Sequence, residues 1–160
     1  TLLLATSGGL VSGPSLVGNR IPYDPVKDFA PIGLATYVPY SLVITGSLPA
    51  RNVRELIDLA KASPGKLNVA SPGVGTPNHL GAAQLMTMTG IEMVHVPYKG
   101  GSLAITDLLA GNVQVLVTFE KNGLEVTSST PQALRDLIVS DLAMWQKIIR
   151  DAKISVDVLP

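Results

Sequence analysis

Leu67-Asn68-Val69-Ala70-Ser71-Pro72-Gly73-Val74-Gly75-Thr76-Pro77-Asn78-His79-Leu80 is the stretch on which the fold turns. A short apolar run, Leu67–Ala70, reads as a strand. Ser71 to Gly75 places a proline and two glycines where a chain must turn sharply. Thr76-Pro77 then opens a helix, with a capping hydroxyl and a proline in the first turn, where no N–H partner is lost. Gly90 closes that helix.

The same alternation extends both ways. Upstream, Ser41–Thr45 is a β-branched apolar run that reads as a buried strand. Asn52 to Ser63 follows as a helix: Asn52 caps it, Glu55 stands three residues later as in a capping box, and Val53, Leu56, Ile57 and Ala60 share one face. Pro64-Gly65 stops it. Downstream, Ile91–Val96 reads as a strand ended by Pro97, and Gly100-Gly101-Ser102 leads into a helix stopping near Gly111. Val113–Phe119 is another strand. Thr130-Pro131 starts a long helix with Leu134, Leu137, Ile138, Leu142, Trp145, Ile148 and Ile149 on one stripe.

At the amino end, Leu2–Ala5 reads as a strand, followed by a loop with Gly8, Gly9, Gly13 and Pro14. Pro22, Pro25 and Pro31 forbid a regular helix across Ile21–Pro31. Asn122–Thr130 is polar, interrupts the alternation and reads as a linker. Strands and helices alternating through short connections predict an α/β fold, with a mainly parallel sheet and helices on both faces.

Composition narrows the function. The chain has 160 residues, 46% hydrophobic and 15% charged, enough to bury a core. Twelve basic residues balance twelve acidic ones, and no basic stripe interleaves with aromatics, which argues against nucleic-acid binding. There are no cysteines, which excludes disulfides, thiolate catalysis and cysteine-ligated zinc. The opening Thr1-Leu2-Leu3-Leu4 is too short for a membrane span and lacks the basic region of a signal peptide.

Ser71–His79 is the segment richest in binding chemistry. It lies between a strand's carboxyl end and a helix's amino end, where unpaired N–H groups and a partial positive charge attract a carboxylate or phosphate. Gly73 and Gly75 allow close backbone approach, Ser71 and Thr76 add hydroxyls, and His79 falls in the first turn. A capped helix after a plain loop is an equal reading. Tyr98 and Lys99 follow the next strand on the same rim, where ligands of open α/β sheets gather. There Tyr98 packs on a ligand or on a neighbouring element, and Lys99 neutralises an acid or is merely solvated. Thr6 and Ser7 follow the first strand, as donors or as part of a turn.

Other chemistries fare worse. Gly73-Val74-Gly75 begins like a dinucleotide fingerprint, but Asn78 stands where the third glycine belongs. No nucleophile elbow is present, since Gly9-Leu10-Val11-Ser12-Gly13 has the wrong spacing. His79 and His95 lie on different elements and make no metal site by spacing; His95 reads as a packed or edge histidine. Trp145 reads as core. No enzyme and no cofactor is expected.

A series of ordered motifs resembles the receptors of tripartite tricarboxylate transporters, also called Bug proteins. Ile21–Phe29 is similar to their PYDP-x-KDF segment, and Ser47–Ala50 with Val53–Leu56 to their LPA-x-x-V-x-EL. Pro64–Asn68, Ala70–Thr76, His79-Leu80, His95–Gly100 and Thr106–Leu109 continue in the family's order. Ser129-Thr130-Pro131 and the helix bearing Trp145 resemble its C-terminal end.

The resemblance implies a partial type II periplasmic-binding-protein-like architecture: a two-lobed periplasmic protein that closes on a small organic carboxylate and delivers it to the transporter's membrane permease. In such proteins loops hold the carboxylate, often through ordered water. Residues 1–45 are expected in lobe I, 46–120 as the lobe II core, 121–130 as linker, and 131–160 returning to lobe I or to a partner chain. Thr6 and Ser7 are carried over to one lobe's contribution; Ser71, Gly75, Thr76 and His79 to the other's, with Tyr98 and Lys99 beside them. The family's glycine-rich opening loop has no match here, and the chain runs from Glu120 almost directly to its last helix. A homodimer is therefore expected to cover the exposed edges. The alternative is a dimerising remnant of the family that binds no solute.

Overall fold

The computed structural model describes residues 1–119, 125–126 and 129–155. The chain forms two compact units: Thr1–Pro39 with Glu120–Pro160, and Tyr40–Phe119.

The second unit is an α/β sandwich in which strands β2 (Tyr40–Ile44), β3 (Asn68–Ser71), β4 (Val94–Pro97) and β5 (Val115–Phe119) alternate with helices α2 (Val53–Ala62), α3 (Pro77–Thr89) and α4 (Gly101–Ala110). The sheet runs in the order β2-β5-β3-β4. β3 pairs in parallel with β4 and with β5, whereas β2 pairs antiparallel with β5, Tyr40 opposite Phe119 and Ile44 opposite Val115. The expected mainly parallel sheet is met at β3, β4 and β5 and departs from it at the one antiparallel pair, which makes the sheet mixed; β2 is a half-buried edge strand, not a buried one. A strand at the margin has one neighbour, so part of its surface stays in solvent.

Residue alternation builds the two layers. Val69, Val115 and Val117 face α2 and α3 and pack with Leu56, Ala60 and Ala82. Their neighbours Ala70 and Leu116 face the other way, against Ala104 and Leu108 of α4. Helices therefore cover both faces. The helix boundaries follow local chemistry. The Asn52 side chain accepts from the Glu55 amide at 2.9 Å. The Glu55 carboxylate reaches back to the Arg51 amide at 2.7 Å, one residue earlier than the usual capping box. Gly90 and Gly111 end α3 and α4 in the left-handed region, at φ 67° and 81°.

In the first unit, Leu2–Ala5 forms no strand. A strand needs a hydrogen-bonding neighbour, and these residues have none among the described residues; Leu2, Leu3 and Leu4 are 79%, 59% and 86% exposed. The glycine-bearing segment expected as a loop is helical: a π-helical turn, Gly8–Ser12, runs into α1 (Gly13–Val17) and a 3-10 turn, Gly18–Arg20. Ile21–Pro31 is irregular, as its prolines require. Asp24 organises it, its carboxylate accepting from the Val26 and Lys27 amides at 2.9 and 3.1 Å, while the Tyr23 ring meets Phe29 edge-on at 5.7 Å. Strand β1 (Thr36–Tyr37) pairs antiparallel with β6 (Glu125–Val126), which falls inside the segment read as a linker. The long helix α5 (Pro131–Asp151) is capped by Thr130, whose hydroxyl accepts from the Ala133 amide at 3.1 Å, and it packs on α1 and the π-helical turn. Ile138, Ile148 and Ile149 of its stripe are buried, Trp145 only half so.

Candidate functional site

Two loops leave neighbouring parallel strands at their carboxyl ends. Ser71–Thr76 runs from β3 into α3, and Tyr98–Gly100 from β4 into α4. Two backbone hydrogen bonds join them: the Tyr98 amide donates to the Ser71 carbonyl at 2.9 Å, and the Gly100 amide to the Pro72 carbonyl at 3.2 Å. Gly75 at φ 76° and Gly100 at φ 121° adopt backbone that side chains disfavour, which is why glycine stands at both bends. The loops leading into two helices, one on each face of the sheet, are thereby held together. A negative charge placed at either helix amino end is favoured.

The two hydroxyls singled out in this loop turn inward. Ser71 Oγ and Thr76 Oγ1 both donate to the Gly73 carbonyl, at 2.9 and 2.8 Å. Ser71 is fully buried, and Thr76 Oγ1 also accepts from the His79 amide at 3.3 Å as the cap of α3. These side chains hold the shape of the loop, while Gly73, Gly75 and Thr76 are half-buried and Val74 is exposed. In α4 the position before the first turn is Gly100, which brings no capping side chain.

Beneath the loop the fold joins two histidines that are far apart in the chain. His95 sits beside Val69 in the β3–β4 register and shares its face, toward α3. His79 comes down from the first turn of α3, and the two rings stack with centroids 3.7 Å apart, inclined by 8°. His79 Nδ1 accepts from the Gly75 amide at 3.0 Å, so its neutral ring carries the proton on Nε2. His95 Nε2 lies 2.7 Å from Ser71 Oγ. The His95 tautomer sets which of the two donates. Burial, and after it the neighbouring His95, pushes His79 down to about 4; burial likewise lowers His95. Both rings are uncharged at neutral pH.

Tyr98 reaches over α4, its hydroxyl donating to Asp107 Oδ2 at 2.6 Å, while Asn112 Nδ2 donates to Oδ1 at 3.1 Å. The shared hydrogen bond raises the Tyr98 phenol and, with Asn112, lowers the Asp107 carboxyl. Lys99 is exposed. Thr6 and Ser7 belong to the first unit and are both exposed; the Thr6 carbonyl accepts from the Gly9 and Leu10 amides, each at 3.1 Å. That unit also holds a cavity of about 350 Å³ whose walls include Leu3, Phe29, Leu34, Leu134 and Ile138.

Sequence reasoning overlooked three participants. His95 was legible only as an alternating strand residue. Nothing in the chain order marks Asp107 as the partner of Tyr98, or Asn78 as the donor to the Val117 carbonyl at 2.7 Å. Among the described residues no cluster of three or more His, Cys, Asp or Glu is placed to hold a metal ion, and no helix is long and apolar enough to cross a membrane.

Residues 1–120 match the family described as "Tripartite tricarboxylate transporter family receptor". A protein encoded in the tcbD-tcbE intergenic region of Pseudomonas sp. strain P51 is 41% identical over 98 residues, 61% of this chain and 29% of that protein. The chain spans between 29% and 35% of the length of the first curated relatives that it matches. Among solved structures, R. palustris Rpa4515 with adipate superposes with a TM-score of 0.75 at 22% identity, over 94% of this chain and 77% of that one. The periplasmic binding protein BugD gives 0.72 at 20% identity, over 92% and 77%. These two likenesses establish the fold.

Proposed function

We propose that this chain, which belongs to the tripartite tricarboxylate transporter receptor family, binds a small organic mono- or dicarboxylate in the periplasm for delivery to a membrane permease. The family is one of receptors and not of enzymes. The observation that supports the reading is the joining of the two loops by the Gly100–Pro72 and Tyr98–Ser71 hydrogen bonds. It holds the loops that lead into two helix amino ends against each other and leaves backbone donors, rather than hydroxyls, to face a carboxylate. The amides of Gly75, Thr76 and Gly100 are taken by His79 Nδ1 and by the Gly73 and Pro72 carbonyls. These residues therefore shape the receiving edge, and the donors are the first-turn amides of α4, which no side chain caps; Ser71 and His79 hold the edge from below. Lys99 adds positive charge near it, and Tyr98 braces the second loop through Asp107. On the resemblance, Thr6 and Ser7 are the first unit's donors.

Calorimetric titration with adipate and a panel of shorter mono- and dicarboxylates tests the reading. One-to-one binding is expected, weakened tenfold or more by Gly100→Val, because a branched side chain cannot hold φ 121° there. No heat and no thermal shift with any member of the panel leaves the remnant reading in its place.

The exposed Leu2, Leu3, Leu4 and Ile32 favour a second element, pairing of two copies through apolar surface of the first unit. Light scattering should then give twice the chain's mass; a monodisperse monomer overturns the pairing.

A further inference from the structure

We propose that His79, stacked on His95, is the latch of the loop that braces the carboxylate-receiving edge: Ser71–Thr76 keeps its shape only while the His79 ring is uncharged, so a proton taken up by His79 releases the loop and weakens carboxylate binding. The inference rests on the carboxylate reading above and adds to it a positioning residue and a pH dependence.

The geometry at His79 favours one charge state. His79 Nδ1 is the acceptor for the Gly75 amide at 3.0 Å. Protonating that nitrogen sets two N–H groups face to face, and the bond that holds the loop's last glycine is lost. On the other ring, His95 Nε2 lies 2.7 Å from Ser71 Oγ, and Ser71 in turn holds Gly73; a charged His95 would keep this bond, so the release comes from His79. At a centroid separation of 3.7 Å, a charge on one ring also disfavours a charge on the other. The first turn of α3 carries positive partial charge of its own, which adds to the cost of an imidazolium.

Among the described residues no ion pair offsets this. β3 presents the Ser71 hydroxyl, β4 presents His95, the turn into α3 presents the Thr76 hydroxyl, and β5 (Val115–Phe119) has no titratable side chain. The carboxylate of α4, Asp107, is engaged by Tyr98 and Asn112. The ion pairs among the described residues join Lys27 to Asp24, and Lys147 and Arg150 to Asp151; none includes a histidine. Both rings accordingly hold their protons less tightly than an exposed histidine.

The test uses the full chain, its isosteric variant and adipate as the probe. His79→Asn keeps an acceptor at the Nδ1 position, and His95→Gln keeps a hydrogen-bonding amide at the Nε2 position; neither takes up a proton. Ring ¹⁵N spectra should show the Nε2–H form of His79 at neutral pH, and the Gly75 amide should move with the same midpoint as that ring. Adipate affinity, as a ratio to the double variant so that adipate's own protonation cancels, should fall about twofold at that midpoint and about tenfold one pH unit below it. A ratio that stays flat, or rises because an imidazolium simply attracts the anion, overturns the latch. So does a Gly75 amide that ignores the His79 titration. Should adipate give no heat at any pH, the carboxylate reading with adipate fails, and the ring and amide titrations alone decide whether His79 holds the loop.

Discussion

The side-chain amide of Asn78 donates to the backbone carbonyl of Val117 at 2.7 Å, tying the first turn of α3 to strand β5 across 39 residues of chain. Val117 lies one residue past the last β3–β5 pair, Ala70 opposite Leu116, and Asn78 is 3% exposed. A buried carbonyl stripped of its donor keeps its desolvation cost. Asn78→Leu should therefore lower stability by about 1–3 kcal/mol in urea unfolding, although it removes no apolar surface. An unchanged midpoint would show that water replaces the amide.

His79 makes stability depend on pH in a definite direction. Its folded value is about 4, against 6.5 for the unfolded chain, so between these limits the unfolded state binds more protons. Stability should be full above about pH 6.5, fall as pH drops toward 4, and level off below that value as far as this residue contributes. The loss should be roughly 1–3 kcal/mol, taken below the full equivalent of the shift to allow for solvent screening. Comparing urea midpoints at pH 7 and pH 5 checks it, and His79→Asn should flatten the slope.

Tyr98 and Asp107 form a bond that can be read at either end. The Tyr98 hydroxyl is the largest cause of the lowered Asp107 carboxyl. In Tyr98→Phe the carboxyl carbon of Asp107 should titrate at higher pH, toward the ordinary 3.8 but short of it, because Asn112 still donates. The sign for stability follows: this bond contributes above the unfolded value and is lost as pH falls through the folded one. Carbon-detected titration of both proteins measures it.

Gly90 and Gly101 should respond oppositely to alanine. A Cβ at either meets nothing within 4 Å, so space does not distinguish them. Gly90 sits at φ 67° as the cap of α3, and alanine there should cost about 1–2 kcal/mol. Gly101 is the first residue of α4, with no such conformation, and Gly101→Ala should stabilise by about 0.5–1 kcal/mol through the entropy of the unfolded chain. Thermal melts of both variants decide it.

Most of the second unit could be read residue by residue, because its signals are local. Asn52 and Thr76 cap the helices they were expected to cap, Thr130 caps the helix it was expected to start, and Gly90 and Gly111 end theirs. Leu2–Ala5 misled because an apolar run says only that a strand is affordable; whether a neighbour lies alongside is not local information. The segment from Gly8 misled in the same way. Glycine and proline weaken a helix but do not forbid one, and α5 supplies the packing that compensates.

Chain order alone was enough to specify the turns, the caps and the two-residue alternation that puts Val69 and Ala70 on opposite faces, since each depends on a few neighbouring residues. Only tertiary structure could decide that β2 runs antiparallel at one edge, that two hydroxyls of the loop serve Gly73, and that His79 rests on His95. Those facts depend on strand register and helix docking. Both are set by the burial of the whole core, so no short stretch of residues contains them.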